Sequence, residues 1–414
     1  GVELDPLPTA AEVALDGRVR GSATLRGGIE RFDGEGSLSF QDLRYTTDFV
    51  RSGELTFSTT DLPGKDWRAE GVLSTDSIFV RSVSFNGINA EAEFGVSDGR
   101  VRVQTRRGEG EDYRARGTFS LDTLGGGIVN LDELTLRFDS VQWNLGGPTS
   151  LLWDEEGVRV RDFRLIRPGV GQMRVRADGF LPLRGEGDFE LEAERLDLEG
   201  LARVTQLEHT VEGLLDVNLR MTGPSENPRL EGTLAGRNLR YDDLSLTRLD
   251  SDFEYGQETL SGRLRAREGT RESLSLEGTF PADLRLQTEG PRIPEGPVDL
   301  TLQVDSFPAD LALSSIQAFD QVDGTLSGQI HFAGTPRDLE PEGELQLARG
   351  SALLSALGVR HTDAEATLGL SPDGTVEVEG SVRSGGTARI TGSVTLDPLT
   401  DPGLDLRVEA ENFL

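Results

Sequence analysis

Apolar and polar residues alternate with a period of two along much of this 414-residue chain. The cleanest run follows Asp188, where Phe189, Leu191 and Ala193 alternate with Glu190, Glu192 and Glu194. A period of two puts the first set on one face of a β-strand and the acids on the other, whereas a helix would spread both around its circumference. The same alternation marks Leu134, Leu136 and Phe138; Val158 and Val160, followed by Phe163 and Leu165; Leu215, Val217, Leu219 and Met221; Ile330 and Phe332; and Val376 and Val378. Turn-forming pairs punctuate the strands at Asp16-Gly17, Gly27-Gly28, Asp33-Gly34, Asn86-Gly87, Asp98-Gly99 and Pro372-Asp373-Gly374. Asn-Gly and Asp-Gly carry the strongest two-residue hairpin signal, because both positions accept positive φ. Helical spacing is confined to short stretches: Leu198, Leu201 and Val204 within 198–207, Ala309, Ala312 and Ile316 within 309–319, and the segment 9–15. The expected fold is all-β, with mostly antiparallel strands and a few short helices or crossovers.

A second, longer pattern overlies the first. Glycines recur at steps of 10 and 9 in Gly213, Gly223 and Gly232, in Gly324, Gly334 and Gly343, and in Gly17, Gly27 and Gly36. The residues between them agree in kind: Leu234 matches Leu38 and Leu345, and Arg237–Tyr241 matches Gln41–Tyr45. Phe189, Leu191, Ala193 and Leu196 return as Leu300, Leu302, Val304 and Phe307, and again as Leu406, Val408, Ala410 and Phe413. The shift is 111 residues both from Phe189 to Leu300 and from Gly213 to Gly324, so one long unit repeats without gaps there. Repeats define the architecture before any local reading does. The chain divides accordingly into 1–123, a shorter unit at 124–197, 198–308 and 309–414, and the array is expected to continue beyond both ends.

Composition changes the picture in one respect. Only 36% of residues are hydrophobic and 6% aromatic, against 51 glycines. A compact body of this length hides most of its surface and needs more apolar residues. A thin repeated sheet with one solvated face needs fewer. Its apolar face must still be covered: by another sheet, by closure into a tube, or by curling into a trough that admits an apolar guest. The expectation is an elongated, curled sheet forming such a trough. Its lining would comprise Leu134, Leu136, Phe138, Val158, Val160, Phe189, Leu191, Leu215, Val217, Leu219, Leu300, Leu302, Val304, Ile330, Phe332, Leu406 and Val408. Acyl chains suit a lining without polar anchors, because each buried methylene contributes about 0.8 kcal/mol.

Charge and motifs exclude other chemistry. The formal net charge is −30, with 72 acidic against 42 basic residues. There is no basic stripe for nucleic acid. No cysteine is present, which removes disulfides, thiolate sites and cysteine zinc sites. No apolar run approaches the ~20 residues of a membrane helix. Nucleophile-elbow, zinc-protease and phosphate-loop motifs are absent. His209 lies in a turn-like stretch, and His331 is out of phase with Ile330 and Phe332, so both read as surface histidines. Asp250, Asp252 and Glu254 have the spacing of a calcium loop, but Tyr255 stands where the turn glycine belongs and Ser261 where the bidentate acid belongs. Neither cofactor, metal nor enzymatic activity is expected. A carbohydrate-acting β-solenoid is the weakest alternative, because its rungs would repeat every ~20–30 residues.

The Gly-spaced strands GLLDVNLRMTGPSENPRLEGTLAGRNLRY and GTLSGQIHFAGTPRDLEPEGELQLARG, the strand pairs at Gly-Thr-Phe or Gly-Ser-Val, and the acidic alternating runs resemble the TamB and AsmA-like family of bacterial envelope proteins. The resemblance covers essentially the whole chain. It implies a β-taco with a hydrophobic groove across the periplasm that moves phospholipid between the inner and outer membranes. It also implies an inner-membrane anchor and an outer-membrane barrel partner engaged through regions outside this sequence. The alternative function in the same setting is a scaffold for outer-membrane protein assembly whose apolar face is packed shut.

Overall fold

The computed structural model describes residues 2–4, 15–28, 30–80, 83–108, 110–122, 125–138, 141–169, 173–205, 209–242, 244–269, 271–288, 290–309, 319–354, 359–384, 386–395 and 403–411. The chain is all-β, and every described strand pairing is antiparallel. It forms two compact units, one of Gly1–Leu196 with Gly200–Leu207 and one of Asp197–Glu199 with Glu208–Leu414. The helix Leu198–Thr205 occupies the expected place. The other two expected helices, within 9–15 and 309–319, fall almost wholly outside the described residues.

In the first unit, Leu15–Gly27 pairs with Phe32–Tyr45, which pairs with Asp48–Leu62 and so on through Arg68–Thr75, Gly87–Phe94, Asp98–Gly108 and Glu111–Leu121 to Gly127–Phe138. Two short strands, Val141–Leu145 and Thr149–Trp153, share the far edge of Gly127–Phe138. Gly157–Arg167, Met173–Pro182 and Glu186–Asp197 complete the meander. In the second unit the meander is unbranched, from Val211–Pro224 to Gly403–Glu411.

The glycine signature is a repeated piece of backbone. Gly17, Gly213 and Gly324 have φ of 139°, 118° and 127°. Each marks a register shift, and opposite each the partner strand has a residue in the left-handed region, Asp42, Asn238 or Arg349, at φ near 50°. A Cβ on any of the three glycines would come within 2.7–2.9 Å of the opposing backbone. Only glycine combines that φ with so close an approach. Beyond the bulge, the three copies share one register: Val19↔Phe40 and Gly21↔Leu38, Leu215↔Gly236 and Val217↔Leu234, Leu326↔Leu347 and Gly328↔Leu345.

Bulges also explain why the apolar period slips. Asp162, with φ of 54°, sits between Val160 and Phe163. Arg195 and Ser306, 111 residues apart, have φ of 54° and 52°, ahead of Leu196 and Phe307. An extra residue in a strand reverses the facing of everything after it unless the sequence also skips one position. This sequence skips one position at each bulge.

Several expected turns lie elsewhere. Asn86-Gly87 is no hairpin: Val83–Phe85 folds back on Ile78–Val80, while Gly87–Phe94 pairs with Arg68–Thr75 and Asp98–Gly108. The turn expected at Asp98-Gly99 closes two residues earlier, at Val96-Ser97, with the Gly95 amide donating to the Asp98 carbonyl at 2.7 Å. Gly99 is a strand residue beneath the Phe119 ring, where a Cβ would lie 2.4 Å from a ring carbon. Asp16-Gly17 is the first of the bulges, and Asp33-Gly34 is no turn but part of strand Phe32–Tyr45, where the two residues oppose Arg26 and Leu25. Gly27-Gly28 and Pro372-Asp373-Gly374 are turns as expected.

Candidate functional site: the apolar face of the sheet

Directly opposed residues in antiparallel strands share a face, so register alone builds the apolar surface row by row. In the second unit one row crosses every strand: Leu215, Gly236, Leu249, Ala266, Leu274, Val304, Gly328, Leu345, Leu368, Val378, Gly392 and Leu406. No polar side chain interrupts it. The neighbouring row runs Val217, Leu234, Ser251, Leu264, Leu276, Leu302, Ile330, Gly343, Leu370, Val376 and Val394, with Ser251 its single hydroxyl. Leu219, Leu300 and Phe332 lie in a third row, and Val408 opposes Ile390 in a fourth.

The first unit is built in the same way. Gly21, Leu38, Leu55, Leu73, Ala90, Val103, Ala115 and Leu134 form one row. Phe119, Val129, Leu151, Val160, Gly179 and Phe189 lie in another. Leu136 opposes Tyr113 and Trp143, Phe138 opposes Val141 and Glu111, Val158 opposes Trp153 and Leu181, and Leu191 opposes Ala177. The residues expected to line a groove therefore share one face within each unit.

They do not share one degree of exposure. Phe138, Val304 and Ile330 are buried, at 3%, 8% and 5% exposed. The Phe138 ring packs 5.3 Å from Tyr113. Leu134, Leu136, Val158, Val160, Phe189, Leu191, Leu215, Val217, Leu219, Leu300, Leu302 and Phe332 are half-buried. Leu406 and Val408, on the last described strand, are 41% and 61% exposed. In each unit the face is mainly apolar, with a few polar residues such as Glu111, Thr75 and Ser251, and it is closed in places and half-open at most positions.

The opposite face is polar and knitted by ion pairs across neighbouring strands. Arg102 reaches Glu91 at 3.4 Å, Arg174 pairs with Glu194, Arg237 with Asp216, and Arg263 grips Glu277 through two bonds of 2.6 Å. The Arg263 bonds hold the Glu277 carboxyl below its ordinary range. Asp250 and Arg248 pair on the same strand at 2.7 Å, and Glu254 opposes Ser261, so the three acids 250, 252 and 254 belong to strand Leu244–Gly256. His331 lies on this face, 3.3 Å from Thr301. His209 meets Asp242 at 2.9 Å beside the Tyr241 ring. The side chain of His361 lies outside the described residues. Among the described residues no group of three His, Asp or Glu could hold a metal, and no helix is long and apolar enough to cross a membrane. A cleft of about 420 Å³ in the first unit opens among polar side chains, including Arg18, Arg20, Glu54 and Asp76.

Two features escaped the sequence reading. The first is most of each row: Leu38, Leu55, Leu73, Leu234, Leu264 and Leu276 become neighbours of the expected lining only through register. The second is the loop 282–298, whose anchor is Asp283, 2% exposed. Its carboxylate accepts two bonds from the Arg285 guanidinium, at 2.9 and 2.7 Å, one from the Arg285 amide at 3.1 Å, and one from Thr288. The Arg285 bonds lead in pulling its pKa far below the usual carboxylate range. Leu284, Leu286 and Ile293 project from the loop, 41–55% exposed. An Asp-x-Arg pair within a Pro- and Gly-rich stretch was the available signal. Compared with known proteins, the chain matches no family model, no curated protein and no solved structure.

Proposed function

We propose that this chain is a lipid-conducting protein of the bacterial envelope, whose apolar sheet face carries phospholipid acyl chains between the inner and outer membranes through the periplasm. The observation that supports this reading is the unbroken row from Leu215 to Leu406, apolar or glycine at each strand and left half-open at most positions. A uniform apolar row offers each successive methylene the same environment, so a chain can slide without leaving a preferred site. The polar face, with its excess of acids, keeps the sheet dispersed in water. No residue acts as a catalyst in this mechanism, and no cofactor enters it. The outer-membrane barrel partner and the membrane anchor belong to the same proposal and rest on the family resemblance. The packed-scaffold alternative draws on the burial of Phe138, Val304 and Ile330.

Val217→Asp separates the two. Val217 is half-buried on the open part of the face. A carboxylate there reaches water when no lipid is bound, yet obstructs an acyl chain, since an unpaired ion out of water costs several kcal/mol. The conduit reading expects a melting temperature close to the parent and lipid photocrosslinking lowered at least tenfold. Unfolding by Val217→Asp would favour the packed scaffold, and undiminished lipid capture by a folded variant would sink the conduit.

A further inference from the structure

Glu111 brings a carboxylate onto the apolar face of the first unit, directly opposite Phe138. A bulge places Arg107 beside it: Glu111 pairs with Gly108 and Asp112 with Arg106, so Arg107 is the extra residue in strand Asp98–Gly108. The Arg107 Nε lies 3.7 Å from a Glu111 carboxylate oxygen, and the Tyr113 hydroxyl donates to the same oxygen at 3.3 Å. Arg107 bonds to the Tyr113 hydroxyl in turn. Both charged side chains are largely withdrawn from water, at 15% and 19% exposed. Aromatic rings flank the cluster: Tyr113 stands edge-on to Phe85 at 6.5 Å and lies 5.3 Å from Phe138, and Trp143, opposite Leu136, is buried. Burial and, after it, the Glu111 charge raise the Tyr113 pKa, so the hydroxyl keeps its proton at neutral pH.

This cluster differs from the ion pairs of the outer face. Those pairs stand in water, and Arg263 and Glu277 nonetheless meet at 2.6 Å. Here both charges leave water, which is costly, yet their contact is longer than a hydrogen bond. Each charge is therefore held ready for a ligand group of opposite sign, beside the start of the apolar rows: Tyr113 opposes Leu136, and Ala115 and Leu134 are the next pair on the same face of the same two strands. We propose that Arg107, Glu111 and Tyr113 form a head-group site for a zwitterionic phospholipid bearing a primary ammonium. Arg107 and the Tyr113 hydroxyl take the phosphate, Glu111 takes the ammonium, and the acyl chains follow the rows from Ala115 and Leu134. A guanidinium holds phosphate through its fork of N–H donors. A carboxylate accepts the N–H bonds of a primary ammonium, which a quaternary ammonium lacks. A head group with a net negative charge would meet Glu111 with no cation to offset it. Resting on the conduit reading, this site selects among the lipids that the face carries.

The test reads lipid capture at two places on the face. A photoreactive amino acid replaces Leu134, beside the cluster, or Leu345, in the uncharged row of the second unit. Each protein, with Glu111 and Arg107 native or as Glu111→Gln or Arg107→Gln, is checked by thermal melting. It is then illuminated with vesicles of equal parts phosphatidylethanolamine, phosphatidylglycerol and phosphatidylcholine, and captured lipid is counted by mass spectrometry. With the native cluster, phosphatidylethanolamine should exceed each of the others at least fivefold at Leu134 and by less than twofold at Leu345. Glu111→Gln should reduce the preference at Leu134 at least threefold, and Arg107→Gln should lower capture of all three lipids there at least threefold. Equal capture at Leu134 with the native cluster, the same preference at both places, or a folded Glu111→Gln that keeps the preference would overturn the head-group site, while capture at Leu345 would leave the conduit standing. Capture at neither place would overturn both. Soluble phosphoethanolamine tests the other source of the same chemistry: it should compete at Leu134 at least tenfold more weakly than the lipid, and equal competition would overturn the assignment to a lipid.

Discussion

Strands Glu186–Asp197 and Asp299–Pro308 are one module reached by two different connections. Each is entered from a Gly-x-x-Pro end, Gly179 to Pro182 in one and Gly278 to Pro281 in the other, and both prolines are buried. After each proline the next amide donates to a glutamate carbonyl of the preceding turn, Leu183 to Glu156 at 2.7 Å and Ala282 to Glu258 at 2.9 Å. Then the paths part. The first closes through Leu183, Arg184 and Gly185, while the second inserts the Asp283-anchored loop before returning at Asp299. Beyond the insertion the modules agree again, down to the left-handed residues Arg195 and Ser306. Register and bulge positions therefore define the repeat, and the connection is free to change. A longer loop costs little closure entropy once its ends are held by the sheet.

The largest expected effect tests the shared part of that comparison. Gly278→Val places a branched side chain at φ 144° with its Cβ about 1.9 Å from the Asp299 oxygen. A loss of about 3 kcal/mol or more is expected in urea unfolding. Gly179→Val, where the Cβ would lie 2.1 Å from the Asp188 oxygen, should match it within about 1 kcal/mol. Tolerance at either position would mean that the modules are not equivalent.

A smaller effect belongs to the part that differs. Asp283→Asn removes a buried carboxylate from Arg285 and Thr288 and should cost about 2 kcal/mol at neutral pH. The folded pKa of Asp283 is depressed, so its contribution is full above the ordinary carboxylate value and is lost as pH falls toward the folded value. The stability gap between parent and Asp283→Asn should stay constant from about pH 7 to pH 5 and shrink below about pH 4. A gap that grew on acidification would refute the assignment of the loop's anchor.

The smallest effect concerns the bulge. Ser306 holds a left-handed conformation that costs a non-glycine residue about 1 kcal/mol. Ser306→Gly relieves it while loosening the unfolded chain, so a gain between zero and about 1 kcal/mol is expected. A clear loss would show that the bond from the Ser306 amide to the Ser327 hydroxyl, 2.9 Å, depends on the Ser306 side chain as well.

Much of the fold was legible before the structure. The period of two named the strands, the glycine steps named the repeat, and the skipped positions at Val160/Phe163, Ala193/Leu196 and Val304/Phe307 marked the bulges, although their meaning as bulges needed the backbone. Alternation along a strand is local, and it fixes which side chains face together whatever the strand's partner. For the same reason the sequence named Leu215, Val217 and Leu219 as one set but not the row that joins Leu215 to Leu249, Leu274 and Leu345. Rows depend on pairing between residues far apart in the chain. Only the tertiary structure decided that Asn86-Gly87 links two strands of different partners, because hairpin chemistry permits a turn without requiring one. It alone separated the buried Phe138, Val304 and Ile330 from their half-open neighbours, since burial is set by what the rest of the sheet places over a residue. The anchored loop at 282–298 was likewise beyond local pattern: it is held by the buried Asp283 carboxylate together with bonds from Arg292 to the Asp283 and Arg285 carbonyls and from the Leu284 amide to the Tyr255 hydroxyl, and no periodicity announces such contacts.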